Sequence, residues 1–183
     1  MVNISAQITP NPDTLKFVVD RMLLEYGSID FSNREKAATS PLVLQLYGID
    51  GVKAIMVGTN FVSVTKSNTV DWTTLAEPVI STLQKELDSG ETGVDVSLLT
   101  ASITSEGGSD IEARIREILD NEIRPAVAMD GGDITFHSYE DGVVMLRLQG
   151  ACSSCPSSTF TLKMGIETRL REEFPEIREV VQI

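Results

Sequence analysis

Two runs of glycine, serine and small polar residues interrupt this chain, Ser89-Gly90-Glu91-Thr92-Gly93 and Ser105-Glu106-Gly107-Gly108-Ser109. Such runs break helices and strands alike. The stretch between them is mildly apolar but short, so residues 90–108 read as a linker, partly docked. The chain is thereby cut into an N-terminal domain, 1–89, and a C-terminal domain, 109–183, of about 90 and 75 residues. The fold expected is α+β: two small α/β domains rather than one large one.

Within the first domain, residues 4–8 and 15–19 read as strands joined by the turn-rich "TPNPD". Ser32-x-x-Glu35 has the form of a capping box, and Ser40-Pro41 starts a helix that stops near Tyr47-Gly48. Residues 52–57 and 61–66 alternate around Gly58-Thr59-Asn60 as a hairpin would. Asp71 opens a helix whose Leu75, Val79, Leu83 and Leu87 are each four apart. Trp72, at the start of that helix, reads as packing.

The second domain reads as helix, hairpin, helix and last strand. Ser109-x-x-Glu112 is again a capping box, and Ile111, Ile115, Ile118, Leu119 and Ile123 line one helix face. Pro125 should bend or end that helix. After Asp130-Gly131-Gly132-Asp133, residues 134–139 and 143–149 flank Glu140-Asp141-Gly142 as a hairpin. Leu162, Ile166, Leu170 and Phe174 mark a helix stopped by Pro175, and residues 177–183 form a last strand. Both domains thus share a rough helix–hairpin–helix order, without visible sequence identity.

Charge narrows the partners. Seven basic and twelve acidic residues lie in the first 105 positions, and eight and fifteen follow. Both halves are acidic, which argues against nucleic acid or an anionic membrane, because phosphate binding needs clustered Lys and Arg. No apolar run approaches the roughly 20 residues of a membrane span. Met1-Val2-Asn3-Ile4-Ser5 has neither a charged n-region nor an apolar core, so the expected location is cytoplasmic, or the mitochondrial matrix for a trimmed form.

The only cysteines, Cys152 and Cys155, sit in "GACSSCPSS". The expected place of this CxxC is a strand-to-helix turn, with Pro156 at the first helical position. A helix N-terminus favours thiolate, the form that ligates metal and performs redox chemistry. A tetrahedral or cubane centre needs four ligands, and one chain offers two thiols. His137 alternates out of phase with Ile134 and Phe136 and reads as a surface residue. A second copy of the chain is the simplest completion, and four thiolates hold a 4Fe-4S cluster or a zinc ion. Structural thiols, a zinc-bridged interaction module and a thiol–disulfide oxidoreductase are the other readings. A thioredoxin-like fold has too little chain left after the motif. No acid–base pair or substrate pocket is legible, so the chain does not read as an enzyme.

The stretches "IRPAVAMDGGDI", "EDGVVMLRLQGACSSCPSSTFTLKMGIE" and "FPEIREVVQI" strongly resemble the C-terminal domain of NifU found in Nfu-type iron–sulfur scaffold proteins. "TPNPDTLKF" and "SPLVLQLYGIDGVKAIMVGTNFVSVTK" resemble that family's N-terminal Nfu domain. The resemblance implies a scaffold or carrier, active in iron–sulfur cluster assembly. It implies Cys152 and Cys155 as ligands of a labile 4Fe-4S cluster bridging a homodimer. It further implies an upstream cluster donor and client apoproteins such as lipoyl synthase and aconitase-type enzymes. The Asp130–Asp133 turn reads mainly as structure, with Gly131 or Gly132 ending a helix in the left-handed conformation. Its functional reading is a turn packed beside the cysteines.

Overall fold

The computed structural model describes residues 1–90, 93–100, 109–153 and 156–183. β1 (Ile4–Ile8) and β2 (Thr14–Val19) pair antiparallel across the proline-rich turn, as their alternation predicts. β3 (Ile29–Phe31) has no counterpart in the sequence reading, because three residues are too short to show a period. The Ser32-x-x-Glu35 pattern does not open a helix. Residues 33–39 form successive turns, and Asn33 rather than Ser32 accepts the capping bond, from the Lys36 N–H at 3.0 Å. Pro41 pushes Ser40 into extended backbone (φ −120°), which leaves too short a segment to repay helix nucleation.

The helix expected at Ser40-Pro41 is α1 (Pro41–Tyr47), and the expected hairpin is β4 (Val52–Val57) with β5 (Phe61–Lys66). α2 (Trp72–Asp88) follows, with Leu75, Val79, Leu83 and Leu87 all buried. The five strands form one antiparallel sheet in the order β1-β2-β5-β4-β3. The helices cover its inner face, where Phe17, Ile55, Val62 and Val64 join Leu42, Leu46 and the α2 stripe in one core. Trp72 packs edge-on against Phe17, with ring centroids 6.3 Å apart, and its Nε1–H donates to the Pro12 carbonyl at 3.1 Å. Residues 93–100, which end in α3 (Ser97–Thr100), dock on this unit. Leu42 N–H donates to the Gly93 carbonyl at 3.1 Å, and Asp95 N–H donates to Ser40 Oγ at 3.0 Å. The rest of the linker, residues 91–92 and 101–108, lies outside the described residues.

The hairpin departs from simple alternation. Residues 55–57 and 61–65 are buried without a break, so this part of the sheet is covered on both faces. The cover on the outer face is the second unit. There α4 (Asp110–Ile118) begins with the predicted capping box, in which Ser109 N–H donates to the Glu112 carboxylate at 2.9 Å. The helical run does not stop at Pro125. It widens into a π-type turn at Leu119–Ile123 and resumes as α5 (Arg124–Met129). The wide turn accommodates a residue that has no N–H and whose ring would strike the preceding turn's carbonyl.

β6 (Gly132–Glu140) and β7 (Val143–Gly150) form the predicted hairpin, closed by Asp141 and Gly142, both at positive φ (48° and 83°) as a tight primed turn requires. α6 (Pro156–Glu173) then carries the chain over to β8 (Glu179–Gln182), which pairs parallel to β7. Ile115, Val144, Leu146, Ile166, Leu170 and Val180 form a second core. One unit has five strands and the other three, so the shared helix–hairpin–helix order is not a structural repeat.

Leu83 and Leu170 are both fully buried, in separate cores. Each change to Ala should cost about 2–5 kcal/mol. Trp72 reports on the first core alone. A urea titration followed by its fluorescence should shift for Leu83→Ala and stay in place for Leu170→Ala, and equal shifts would mean that the chain unfolds as one unit.

Candidate functional site

The site is a turn at one end of the β6–β7 hairpin, and small residues shape it. Gly132 pairs with Gly150 across the hairpin, and Ala151, Cys152 and Ser153 turn away from β7. Cys152 is buried, with 4% of its surface exposed, and belongs to the second core. Its thiol lies against the α carbon of Gly132: a Cβ built there would stand 2.5 Å from Sγ. Gly131 and Gly150 adopt positive φ, 75° and 62°. The Ala151 N–H donates to the Gly131 carbonyl at 3.2 Å, which joins the two strands' ends beyond the ladder. Thr159 Oγ1 donates to the Cys152 carbonyl at 2.9 Å, tying the turn to α6, and Ser153 Oγ donates to the Gly150 carbonyl at 2.9 Å.

A buried carboxylate anchors the other side. Asp133 accepts from Arg124 twice, Nε to Oδ1 at 2.9 Å and Nη2 to Oδ2 at 3.0 Å. It also accepts from its neighbour's N–H on Ile134 at 2.7 Å and from the Ser28 hydroxyl. Arg124 reaches on to Asp120 Oδ1 at 2.9 Å. A bidentate, fully satisfied pair of this kind fixes the angle between α5 and β6, and therefore where Gly131 and Gly132 lie.

The first unit supplies contacts to the same turn. Asn11 Nδ2 donates to the Ala151 carbonyl at 3.1 Å, and Ser63 Oγ donates to the Gly131 carbonyl at 2.7 Å. Lys16 Nζ donates to the Ala128 carbonyl at 2.6 Å, at the end of α5, where a cation also meets the helix dipole favourably. Burial pushes the Lys16 ammonium below its usual range, against the pull of Asp130. Met56 packs on Gly150, where an added Cβ would stand 2.8 Å from its sulfur. Burial pushes the Asp30 carboxyl up, against the pull of Lys36, the Gly150 amide and Arg147.

Of the residues singled out in the sequence, Cys152 and the Asp130–Asp133 turn are brought together, with Gly132 packed on the Cys152 thiol. Cys155 lies outside the described residues, and so does the spatial arrangement of the pair. His137 is exposed at a bulge of β6, five residues from Gly132, or roughly 16 Å at strand rise. Among the described residues, no three of His, Cys, Asp and Glu converge on a point that would hold a metal ion. Asn11, Lys16, Asp30, Met56 and Ser63 were not found from the sequence. The available signal was the unbroken apolar run at 55–57, which marks a strand covered on both faces.

Residues 115–181 match the family described as NifU-like domain, and residues 4–90 match Scaffold protein Nfu/NifU N terminal. Over 181 residues the chain is 41% identical to "NFU1 iron-sulfur cluster scaffold homolog, mitochondrial" of Homo sapiens, covering 98% of this chain and 71% of that protein. Over 184 residues it is 43% identical to "NifU-like protein 4, mitochondrial" of Arabidopsis thaliana, covering 98% of this chain and 65% of that protein. The chain thus spans about two thirds of the length of these relatives. The solution NMR structure of NifU-like protein from Saccharomyces cerevisiae aligns with 50% of this chain and 82% of its own, at 28% identity and a TM-score of 0.44.

Two outcomes are expected at this turn. Gly132→Ala forces the Cys152 thiol to move, which should destabilise the chain by about 1–3 kcal/mol and speed maleimide labelling of Cys152, read by mass spectrometry. Unchanged labelling would mean that the thiol does not rest on Gly132. The raised Asp30 carboxyl works in the opposite sense from a paired acid. Its contribution is fully present below the unfolded pKa of about 3.9 and is lost as pH rises through the higher folded value. Asp30→Asn should therefore remove that loss and raise urea stability at pH 7 relative to the native chain.

Proposed function

The chain belongs to the Nfu and NifU-like family of iron–sulfur cluster scaffold proteins, and from this membership we propose that it carries a labile 4Fe-4S cluster as cargo. In this reading Cys152 and Cys155 of two copies hold the cluster between them. It is received from an upstream donor and passed to client apoproteins as their cysteines displace the carrier's, one thiolate exchanged for another. Residues 109–183 are the cargo-binding domain, residues 1–89 the Nfu domain and residues 90–108 the linker. The role is that of a carrier rather than an enzyme.

The observation that carries the proposal is a thiol count set against a built turn. The chain has two cysteines, and a cubane takes four soft thiolates. Cys152 stands in a turn where the missing Cβ of Gly132 leaves room for its sulfur. Cys155 directly precedes α6 in sequence, and the N–H groups at the start of an eighteen-residue helix favour thiolate. With 4% exposure, Cys152 reaches a cluster shared with a second copy by rotating its thiol away from Gly132.

The surface beside the cysteines suits a second copy. No Asp, Glu, Lys or Arg occurs from Gly150 to Leu162, although the chain carries a net charge of −12. Phe160 and Met164, one turn apart on α6, are 65% and 55% exposed. Two acidic chains that repel elsewhere meet here without like-charge contact. The relatives' names place those proteins in mitochondria, in accord with the matrix alternative raised by the sequence. Among the described residues, no helix is long and apolar enough to cross a membrane.

Anaerobic reconstitution with iron and sulfide, followed by iron, sulfide and native-mass determination, tests the proposal. About four irons and four sulfides per two chains are expected, in a dimer that dissociates when the cluster is removed. Cys152→Ala and Cys155→Ala should each abolish the cluster while leaving the monomer folded, and retention of a full cluster by either would overturn the ligand assignment. A colourless monomer that reduces insulin would favour the oxidoreductase reading, and a stoichiometric zinc content the bridged interaction module.

A further inference from the structure

Three of the first unit's contacts with the end of α5 and the cysteine turn come from a single line of side chains. Lys16 on β2 pairs with Ser63 on β5, Ser63 with Met56 on β4, and Met56 with Asp30 on β3. The register makes them neighbours on the outer face, across three strand spacings of about 4.8 Å each. Three of its members meet the second unit, at the end of α5 and at the cysteine turn. Lys16 takes the carbonyl of Ala128, Ser63 that of Gly131 and Met56 the α carbon of Gly150, and Asp30 continues the row on β3. Asn11, which is 4% exposed in the turn before β2, adds the carbonyl of Ala151. Asn11 is held in turn, its side-chain oxygen accepting from the Asp13 N–H at 3.0 Å.

A sheet buried on its helix side has no need of this polar row for its own core. The middle of the row is buried even so: Met56 and Ser63 are each 1% exposed, and Lys16 and Asp30 at its ends are half-buried. Its hydrogen bonds go to backbone carbonyls immediately before and within the cysteine turn, and those of Ala128 and Gly131 also accept the Gly131 and Ala151 N–H groups. Backbone contacts of this kind hold a loop's path without restricting the side chain that it presents.

We infer that the first unit is a brace for the cysteine turn: the row Lys16–Ser63–Met56, with Asn11, sets the backbone path through residues 128–131 and 150–151, and so sets how tightly the turn retains its cargo. The inference rests on the cluster-carrier reading for the cargo, but the bracing itself is a property of the apo chain. Asn11 and Ser63 are positioning residues, which act on the cysteines through Ala151 and Gly131. The brace is also separable. It consists of a few hydrogen bonds and one thioether contact, with the Ser28–Asp133 bond beside it, between units whose apolar cores are distinct, and such interfaces open more readily than cores do.

The test compares the full-length chain with Asn11→Ala/Ser63→Ala, using Lys85→Ala on the exposed face of α2 as control. Two readouts are taken: the rate of cluster loss to a chelator after anaerobic reconstitution, and hydrogen exchange at the Ala151 amide in the apo protein. The double variant should bind the same iron and sulfide but lose them roughly tenfold faster, with faster Ala151 exchange and an altered visible circular dichroism of the cluster. The control should match the native chain in all three. Native rates in the double variant, for both cluster loss and exchange, would overturn the inference. If the double variant does not fold, Asn11→Asp, which keeps the size and removes the donor, decides by the same readouts. If the native chain itself takes up no cluster, the carrier reading fails, and Ala151 exchange still judges the brace.

Discussion

The carbonyl of Gly131 is the point on which the arrangement around the cysteine turns. It accepts from Ala151 at 3.2 Å and from Ser63 at 2.7 Å, so it joins the end of β6, the start of the cysteine turn and the first unit's sheet. It faces both donors because Gly131 is left-handed, at φ +75°. An L side chain is strained there, and one at this position would also stand 2.9 Å from Ser63 Oγ. Gly132, next to it, is needed for a different reason, since its missing Cβ is the space that the Cys152 sulfur occupies. Two adjacent glycines thus serve two different contacts, one electrostatic and one steric.

What holds those glycines in place is the ion pair behind them. Arg124 begins α5, and Asp133 follows Gly132 in β6, so the pair clamps the connection from both ends. Asp133 has four donors around it, and among the described residues no buried side-chain polar atom lacks a partner. Removing one member of such a pair strands a buried charge, which costs about 3–5 kcal/mol. The π-type turn before Arg124 belongs to the same device. It resets the helix so that Pro125 fits and the guanidinium points back at β6.

Much of this was legible along the chain. The i, i+4 stripes of Leu75–Leu87 and of Ile166 and Leu170, the Ser109–Glu112 capping box and both hairpins follow from local period and turn chemistry, and the structure has them. One reading failed for a local reason, as Ser32–Glu35 lacked the length to nucleate a helix ahead of Pro41, and β3 went unread because it is shorter than any period. The row beneath the cysteine turn failed for another reason. Lys16, Ser63 and Asp30 are ordinary outward residues of a half-buried strand until a second layer is placed on them.

The sequence by itself determined most of the elements and their order, the apolar stripes that build two cores and the two thiols available to a site. These depend on interactions between residues a few positions apart, and such interactions leave a period or a motif. Only the tertiary structure decided that Asn11 meets Ala151, 140 positions away, and that Ser63 meets Gly131, 68 away. Those contacts arise from strand register and from docking one unit's backbone on another's side chains. A backbone carbonyl has the same chemistry at every residue, so no pattern of residue types announces which one will be met.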